Sequence, residues 1–197
     1  DGLFEVQDRS SQETGLFCKV KSGMVVIDAC AGTGGKTLQL ASLMKNSGKI
    51  YALDTAGGKL KALRDRCSKA KTDIVETKEI SSPDVIKAYA EKADLVLLDV
   101  PCTGSGVLRR NPDAKWRMDE DDLQRMRELQ KQILGEYSAM VKPGGMLVYS
   151  TCSVLPSEGE DQTKWFASKS DDWVLEEEKR TGTDENMGDG FYMARWR

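Results

Sequence analysis

Met24-Val25-Val26-Ile27-Asp28-Ala29-Cys30-Ala31-Gly32-Thr33-Gly34-Gly35-Lys36-Thr37 is the stretch on which the fold turns. A short β-branched run ends in an acid, a glycine-rich turn follows, and a helical stretch runs from about Lys36 to Lys45. Strand, tight turn and helix in that order make the first half of a βαβ unit. The unit repeats downstream. Lys49 to Asp54 reads as a second strand, and Gly58 to Lys71 as a helix with Leu60, Leu63 and Cys67 at helical spacing. Ile74 to Thr77 is a weak third strand, and Pro83 to Lys92 a helix with proline in its first turn. Leu95 to Asp99 is apolar on both faces, as a central parallel strand is. Asp119 to Val141 reads as one long helix stopped before Pro143-Gly144-Gly145, followed by a fifth strand, Met146 to Thr151, and a helix from about Ser157 to Lys169. Trp173 to Glu178 and Gly190 to Trp196 close the chain as two strands able to pair antiparallel at the sheet edge. The expected architecture is α/β and Rossmann-like, a seven-stranded, mostly parallel sheet with helices on both faces.

Composition bounds the function. The 197 residues, 39% of them hydrophobic, suit one domain with a sizeable core. No apolar run approaches the roughly 18 residues of a membrane span, and the polar stretch Asp1 to Arg9 is unlike a signal peptide. Five cysteines, an odd number with no CxxC pair, fit a reducing compartment such as the cytoplasm, or an organelle or the nucleolus. There is no histidine, which removes Cys-His and Ser-His-Asp catalysis and histidine-containing zinc sites, so no metal is expected. A net charge of −3 gives no global sign of nucleic-acid binding. The expected organisation is one catalytic domain over residues 1–197, with residues 1–22 as a lead-in. The absence of an initiator Met at Asp1 suggests a fragment or a processed chain.

The glycine-rich loop is not a P-loop, because the glycine required five positions before Gly35 is Cys30. It also lacks the third glycine of the dinucleotide fingerprint, which falls at Thr37. Gly32, Gly34 and Gly35 still allow a ligand to lie close to the backbone. Asp54, ending the second strand, is placed for ribose hydroxyls, and Asp28 is suited to an ammonium or to ordering the loop. Lys36 is suited to a carboxylate. A zwitterionic amino acid joined to adenosine fits this set, so S-adenosylmethionine is the expected cofactor. The predicted cofactor set is Asp28, Cys30, Ala31, Gly32, Thr33, Gly34, Gly35, Lys36, Asp54, Lys59, Asp99 and Pro101.

Cys102 and Cys152 each follow a predicted strand, in Asp99-Val100-Pro101-Cys102 and Ser150-Thr151-Cys152. Ligands of open parallel sheets bind outside the carboxyl ends of the strands, so two thiols there can converge on one substrate. A thiolate adding to C6 of a cytosine ring makes C5 a carbon nucleophile able to take a methyl group. Asp99 can hold the base, and the second thiol can serve the later loss of the C5 proton. Such a base must be flipped out or single-stranded. The plainer reading of a free cysteine is a small buried hydrophobe, which suits Cys18, Cys30 and Cys67. Arg109, Arg110, Lys115, Trp116 and Arg117 form a basic and aromatic cluster beside this site, fit for phosphates and a stacked base, or else a solvated loop.

These motifs resemble the RNA cytosine-C5 methyltransferases that modify bacterial ribosomal RNA and eukaryotic tRNA and rRNA. The likeness covers nearly the whole chain: Gln7-Asp8-Arg9-Ser10-Ser11, the Asp28–Thr37 loop, Asp99–Cys102, Ser150-Thr151-Cys152-Ser153 and Asp189-Gly190-Phe191-Tyr192. The resemblance implies a class I S-adenosylmethionine-dependent fold and methylation of cytosine in rRNA or tRNA, by a monomer away from membranes. It implies Cys152 as nucleophile, Cys102 as an aid to product release, and Lys36 and Asp99 near both cofactor and base. Thr33 stands where the family usually carries proline. The acid usually near the adenine falls near Ser81, with Glu79 or Asp84 as substitutes. Most members of the family also carry a separate RNA-binding module before the catalytic domain, and this sequence is expected to begin after it. Two rival readings remain: a methyltransferase of the same fold acting on protein or a small molecule, and a non-catalytic RNA-binding domain.

Overall fold

The computed structural model describes residues 2–116, 119–169, 171–182 and 188–197. Its sheet has seven strands: β1 Val25–Asp28, β2 Lys49–Asp54, β3 Val75–Glu79, β4 Ala93–Asp99, β5 Val141–Thr151, β6 Leu175–Thr181 and β7 Phe191–Trp196. Their order across the sheet is β3-β2-β1-β4-β5-β7-β6. The first five are parallel, and β7 runs antiparallel between β5 and the edge strand β6. The two closing strands therefore pair as expected, but the last one is inserted and the sixth forms the edge.

Alternation along the central strand builds the core. Leu95 and Leu97 of β4 join Val26, Ile50, Met146 and Val148 on one face. Val96 and Leu98 join Ile27, Leu147 and Tyr149 on the other. Helices α1 Arg9–Phe17, α2 Gly35–Leu43 and α3 Gly57–Lys69 cover the first face through Phe17, Leu40 and Leu63. Helices α4 Pro83–Lys87, α5 Glu120–Tyr137 and α6 Glu160–Ala167 cover the second through Ile86, Ile133 and Phe166.

Three elements depart from the sequence reading. Helix α1 lies inside the expected lead-in. Asp8 caps it by accepting from the N–H groups of Ser10 and Ser11, while its buried residues Ser10, Thr14, Gly15 and Phe17 include one large apolar side chain and make no apolar stripe. Close packing replaces hydrophobic periodicity: a Cβ on Gly15 would lie 2.3 Å from the Gln39 side chain of α2. Helix α5 stops at Tyr137 rather than Val141, because Val141 pairs with Ala93 and already belongs to β5. Pro143-Gly144-Gly145 occupies the irregular step in that pairing, so it re-registers the strand instead of ending the helix. Helix α4 closes at Lys87, before the expected Lys92.

The acidic run Glu176-Glu177-Glu178 of β6 has partners on β7. Arg195, 3% exposed, donates to Glu176 at 3.0 Å and Glu177 at 2.8 Å. The Tyr192 hydroxyl donates to Glu178. No described helix is long and apolar enough to cross a membrane.

Candidate active site

The carboxyl ends of β1, β2 and β4 open into a cleft of about 420 Å3, the size of a small-molecule site. Cys30, Gly32, Asp54, Lys59, Asp99 and Pro101 line it. Asp54 is shaped by its own turn: Oδ2 accepts from the Gly32 N–H at 2.9 Å and Oδ1 from the Ala56 N–H at 2.8 Å. Each carboxylate oxygen retains a lone pair for a ligand hydroxyl. Gly32 has φ +55° and no atom within 4 Å of a would-be Cβ, so its backbone faces open space. The far wall, not anticipated from sequence, is a face of α5, with Leu129, Ile133 and Tyr137, joined by Ile80 after β3. Glu79, Ser81 and Asp84 do not line the cleft, and Ile80 supplies an apolar surface there instead.

The rest of the predicted cofactor set builds the loop without lining the cleft. Asp28 is 1% exposed and accepts from the Thr37 hydroxyl at 2.7 Å, which ties β1 to the first turn of α2. Burial pushes its pKa up to about 7, against the lowering effect of the Thr37 bond. Ala31 packs with Leu38 and Leu63. The Thr33 carbonyl accepts from Arg66 of α3 at 2.7 Å. Gly34 has φ +92°, and a Cβ there would sit 2.5 Å from Leu63, so glycine is required by packing against α3. Gly35 faces a second cavity of about 530 Å3 between α2 and the N-terminal arm. That cavity is larger, but neither the strand-end thiols nor Asp54 line it.

Lys36 turns toward Asp99, with its ammonium 2.7 Å from Oδ2 and 5.1 Å from the Phe191 ring centroid. Burial alone would depress the lysine, but the Asp99 carboxylate overrides it and raises the pKa, so Lys36 stays charged. Asp99 thus bridges the cleft and the thiol site.

The two cysteines meet, with their sulfurs 3.3 Å apart in a hydrogen bond. The loops that carry them are sewn together. The Gly106 N–H donates to the Cys152 carbonyl at 3.0 Å, and Gly190 before β7 donates to the Gly106 carbonyl at 2.8 Å. A Cβ on Gly106 would fall 1.9 Å from the Gly190 carbonyl oxygen, so only glycine allows this approach. Ser105 and Ser153 hydroxyls add a buried 2.9 Å bond. The pair titrates asymmetrically. Accepting the bond from Cys102 lowers the pKa of Cys152, with Lys36 assisting, while the same bond and burial raise Cys102 well above the ordinary thiol value. Cys152 is the sulfur that ionises first. Such a thiolate is a nucleophile, and a neighbouring thiol is a proton donor. Cys18 and Cys67 are buried, and Cys30 is half-buried against the cleft.

The basic loop is more engaged than its sequence suggested. Arg110 donates to Asp189 at 2.7 Å through Nε and by a second bond through Nη2. Arg109 lies 3.8 Å from Asp189 and 4.0 Å from Asp8. Trp116 is 80% exposed, with the Lys115 ammonium 4.7 Å from its ring centroid. Arg117 lies outside the described residues.

Strand order, cleft and strand-end carboxylates together define a Rossmann-like methyltransferase domain. The sequence profile of the 16S rRNA methyltransferase RsmB/F family matches residues 16–196, and the chain belongs to that family. It is 34% identical over 212 residues to the ribosomal RNA small subunit methyltransferase B of Pasteurella multocida (strain Pm70), covering 100% of this chain and 47% of that protein. It is 38% identical over 179 residues to the probable enzyme of that name from Synechocystis sp. (strain ATCC 27184 / PCC 6803 / Kazusa), covering 89% and 40%. Among solved structures it resembles NSun6 from Pyrococcus horikoshii with SFG, at TM-score 0.89 and 27% identity, covering 100% of this chain and 53% of that one. The chain spans about half the length of the curated relatives it matches.

Proposed function

We propose that this chain is the catalytic part of an RNA methyltransferase that forms 5-methylcytosine, with ribosomal RNA as substrate. The observation that carries this reading is the contact of two strand-end thiols, 3.3 Å apart, beside a carboxylate shared with a small-molecule cleft. Family membership supports the ribosomal substrate, and the analogue SFG in the NSun6 structure supports the cofactor. The cleft fits S-adenosylmethionine: Asp54 offers lone pairs to ribose hydroxyls, Gly32 gives close access, and Ile80 gives an apolar surface for the base. When bound, the cofactor supplies an electrophilic methyl group on a sulfonium.

The chain's own groups do the rest. The Cys152 thiolate adds to C6 of the cytosine, forming an S–C6 bond and moving the C5–C6 π pair to C5. One oxygen of Asp99 holds Lys36, which leaves the other to accept from N3–H of the ring once N3 has taken a proton from water, a proton it returns to water when the base is released. After C5 takes the methyl group, Cys102, having given its own proton to water, takes the C5 proton; the C5–H electron pair re-forms the C5–C6 double bond and the S–C6 bond breaks, releasing Cys152 as a thiolate. Cys102 is assigned to this release step. The test uses an RNA transcript containing 5-fluorocytidine, whose C5 carries no removable proton. With S-adenosylmethionine it should give a denaturant-stable protein–RNA adduct that disappears in Cys152→Ala. An adduct that persists in that variant would overturn the mechanism.

A further inference from the structure

Glu158 places a carboxylate in the interior, beside the loop that carries Cys102. It is 0% exposed, in a short 3-10 turn just before α6, and among the described residues no Lys or Arg bonds to its carboxylate. A buried carboxylate without a counter-ion is retained only if hydrogen bonds satisfy it. Two come from Thr103, next to Cys102, and a third from Gln130 of α5. Oε1 accepts from the Thr103 N–H at 2.9 Å, and Oε2 accepts from the Thr103 hydroxyl at 2.5 Å. Gln130 of α5 donates to Oε1 at 2.9 Å and to the Pro101 carbonyl at 3.0 Å. Residues 101 and 103 are both held, and Cys102 lies between them. The anchor is itself fixed, because the fully buried Tyr149 of β5 donates its hydroxyl to the Glu158 carbonyl at 2.8 Å.

We propose that Glu158 is a positioning residue: through Thr103 and Gln130 its carboxylate fixes the Pro101–Thr103 segment so that the Cys102 thiol is seated against the Cys152 sulfur. The loop after β4 has no regular ladder to hold it, so a bidentate anchor replaces backbone pairing. The nearby negative charge also disfavours ionisation of Cys102, which keeps Cys102 the donor and Cys152 the acceptor of their bond. The functional consequence rests on the two-thiol reading above: Glu158 determines which sulfur attacks and which one waits for release.

The test needs neither RNA nor cofactor, so its failure and the failure of the proposed activity are separable. The full-length protein is treated with iodoacetamide, whose iodide is displaced by a thiolate, and alkylation of Cys152 and Cys102 is followed separately by peptide mass spectrometry across pH. The unmodified protein should alkylate preferentially at Cys152. Thr103→Val removes one anchoring bond with little change of volume, and Glu158→Ala removes the anchor. Both should cut the Cys152-to-Cys102 ratio by about threefold or more and raise the pH midpoint for Cys152, as expected when a thiolate loses a donor. Glu158→Gln keeps an acceptor for the Thr103 N–H and should retain most of the preference. A purely structural role would lower the melting temperature and leave the ratio alone. An unchanged ratio in folded Thr103→Val, whether or not Glu158→Ala folds, overturns the proposal. So does a Glu158→Gln variant as unselective as Glu158→Ala.

Discussion

The bond between Cys102 and Cys152 gives two similar side chains opposite tasks, and single replacements should separate them. Cys152→Ala should abolish methyl transfer and leave cofactor affinity within about threefold, since no sulfur lines the cleft except that of Cys30. Turnover and cofactor titration check this, and near-normal turnover would remove Cys152 as nucleophile. Cys102→Ala should permit attack but slow release, so that a protein–RNA adduct accumulates on denaturing gels with ordinary cytosine RNA. Asp54→Ala should weaken S-adenosylmethionine binding by about 1.5–3 kcal/mol, the range for a hydrogen bond to a charged group. Unchanged affinity would move the pocket elsewhere. The glycines behave differently from one another. Gly34→Val should destabilise the fold by about 1–3 kcal/mol through overpacking against Leu63. Gly35→Val has open space and an unstrained φ, and should change cofactor affinity little. Denaturation curves beside titrations distinguish the two.

At the scale of elements, the join of β1 to α2 depends on a buried acid, and that acid has a pH signature. Asp28 has its pKa raised by burial from 3.8 to about 7. Between those values the folded state binds more protons than the unfolded chain, so this group's contribution to stability is full below about pH 4 and is lost as pH rises through about 7. Urea denaturation of the protein and of Asp28→Asn should show a difference that changes across this window and is level outside it. A difference independent of pH would mean that Asp28 titrates normally. The same join shows what a sequence discloses. The β-branched run and glycine turn located β1, the loop and α2, because local pattern sets local structure. The strand-end thiols were legible for the same reason, each being adjacent to its own strand. Helix α1 was not, because apart from Phe17 its buried side is made of Ser10, Thr14 and Gly15 and is stabilised by a cap and close contact. The α5 wall, Gln130 and Glu158 were equally hidden. Nothing local to Ile133 or Glu158 says which loop will pack against it, since that depends on the strand order.

Across the whole molecule, a net charge of −3 leaves RNA attraction to local clusters, and the fold spends part of the densest one on itself. Arg110 and Arg109 face Asp189 and Asp8. Asp8 caps α1 and also accepts from the Asp189 N–H at 3.2 Å. These contacts strap the loop after β4 to the start of β7 and to the helix that covers the sheet. Asp189 is 2% exposed, so removing its cations strands a buried carboxylate. Two free phosphate contacts would reduce the salt slope of RNA binding by about 2 when lost. With much of their charge already engaged, Arg109→Ala with Arg110→Ala should reduce it by about 1 and also lower the melting temperature. Lys115 sits beside the exposed Trp116 with no acidic partner among the described residues. Lys115→Ala should therefore reduce the slope by about 1 and leave the melting temperature unchanged. Binding at several salt concentrations, measured beside thermal melts, decides the matter. A drop of about 2 with no loss of stability in the double arginine variant would show that these side chains leave their acids for phosphate when RNA binds.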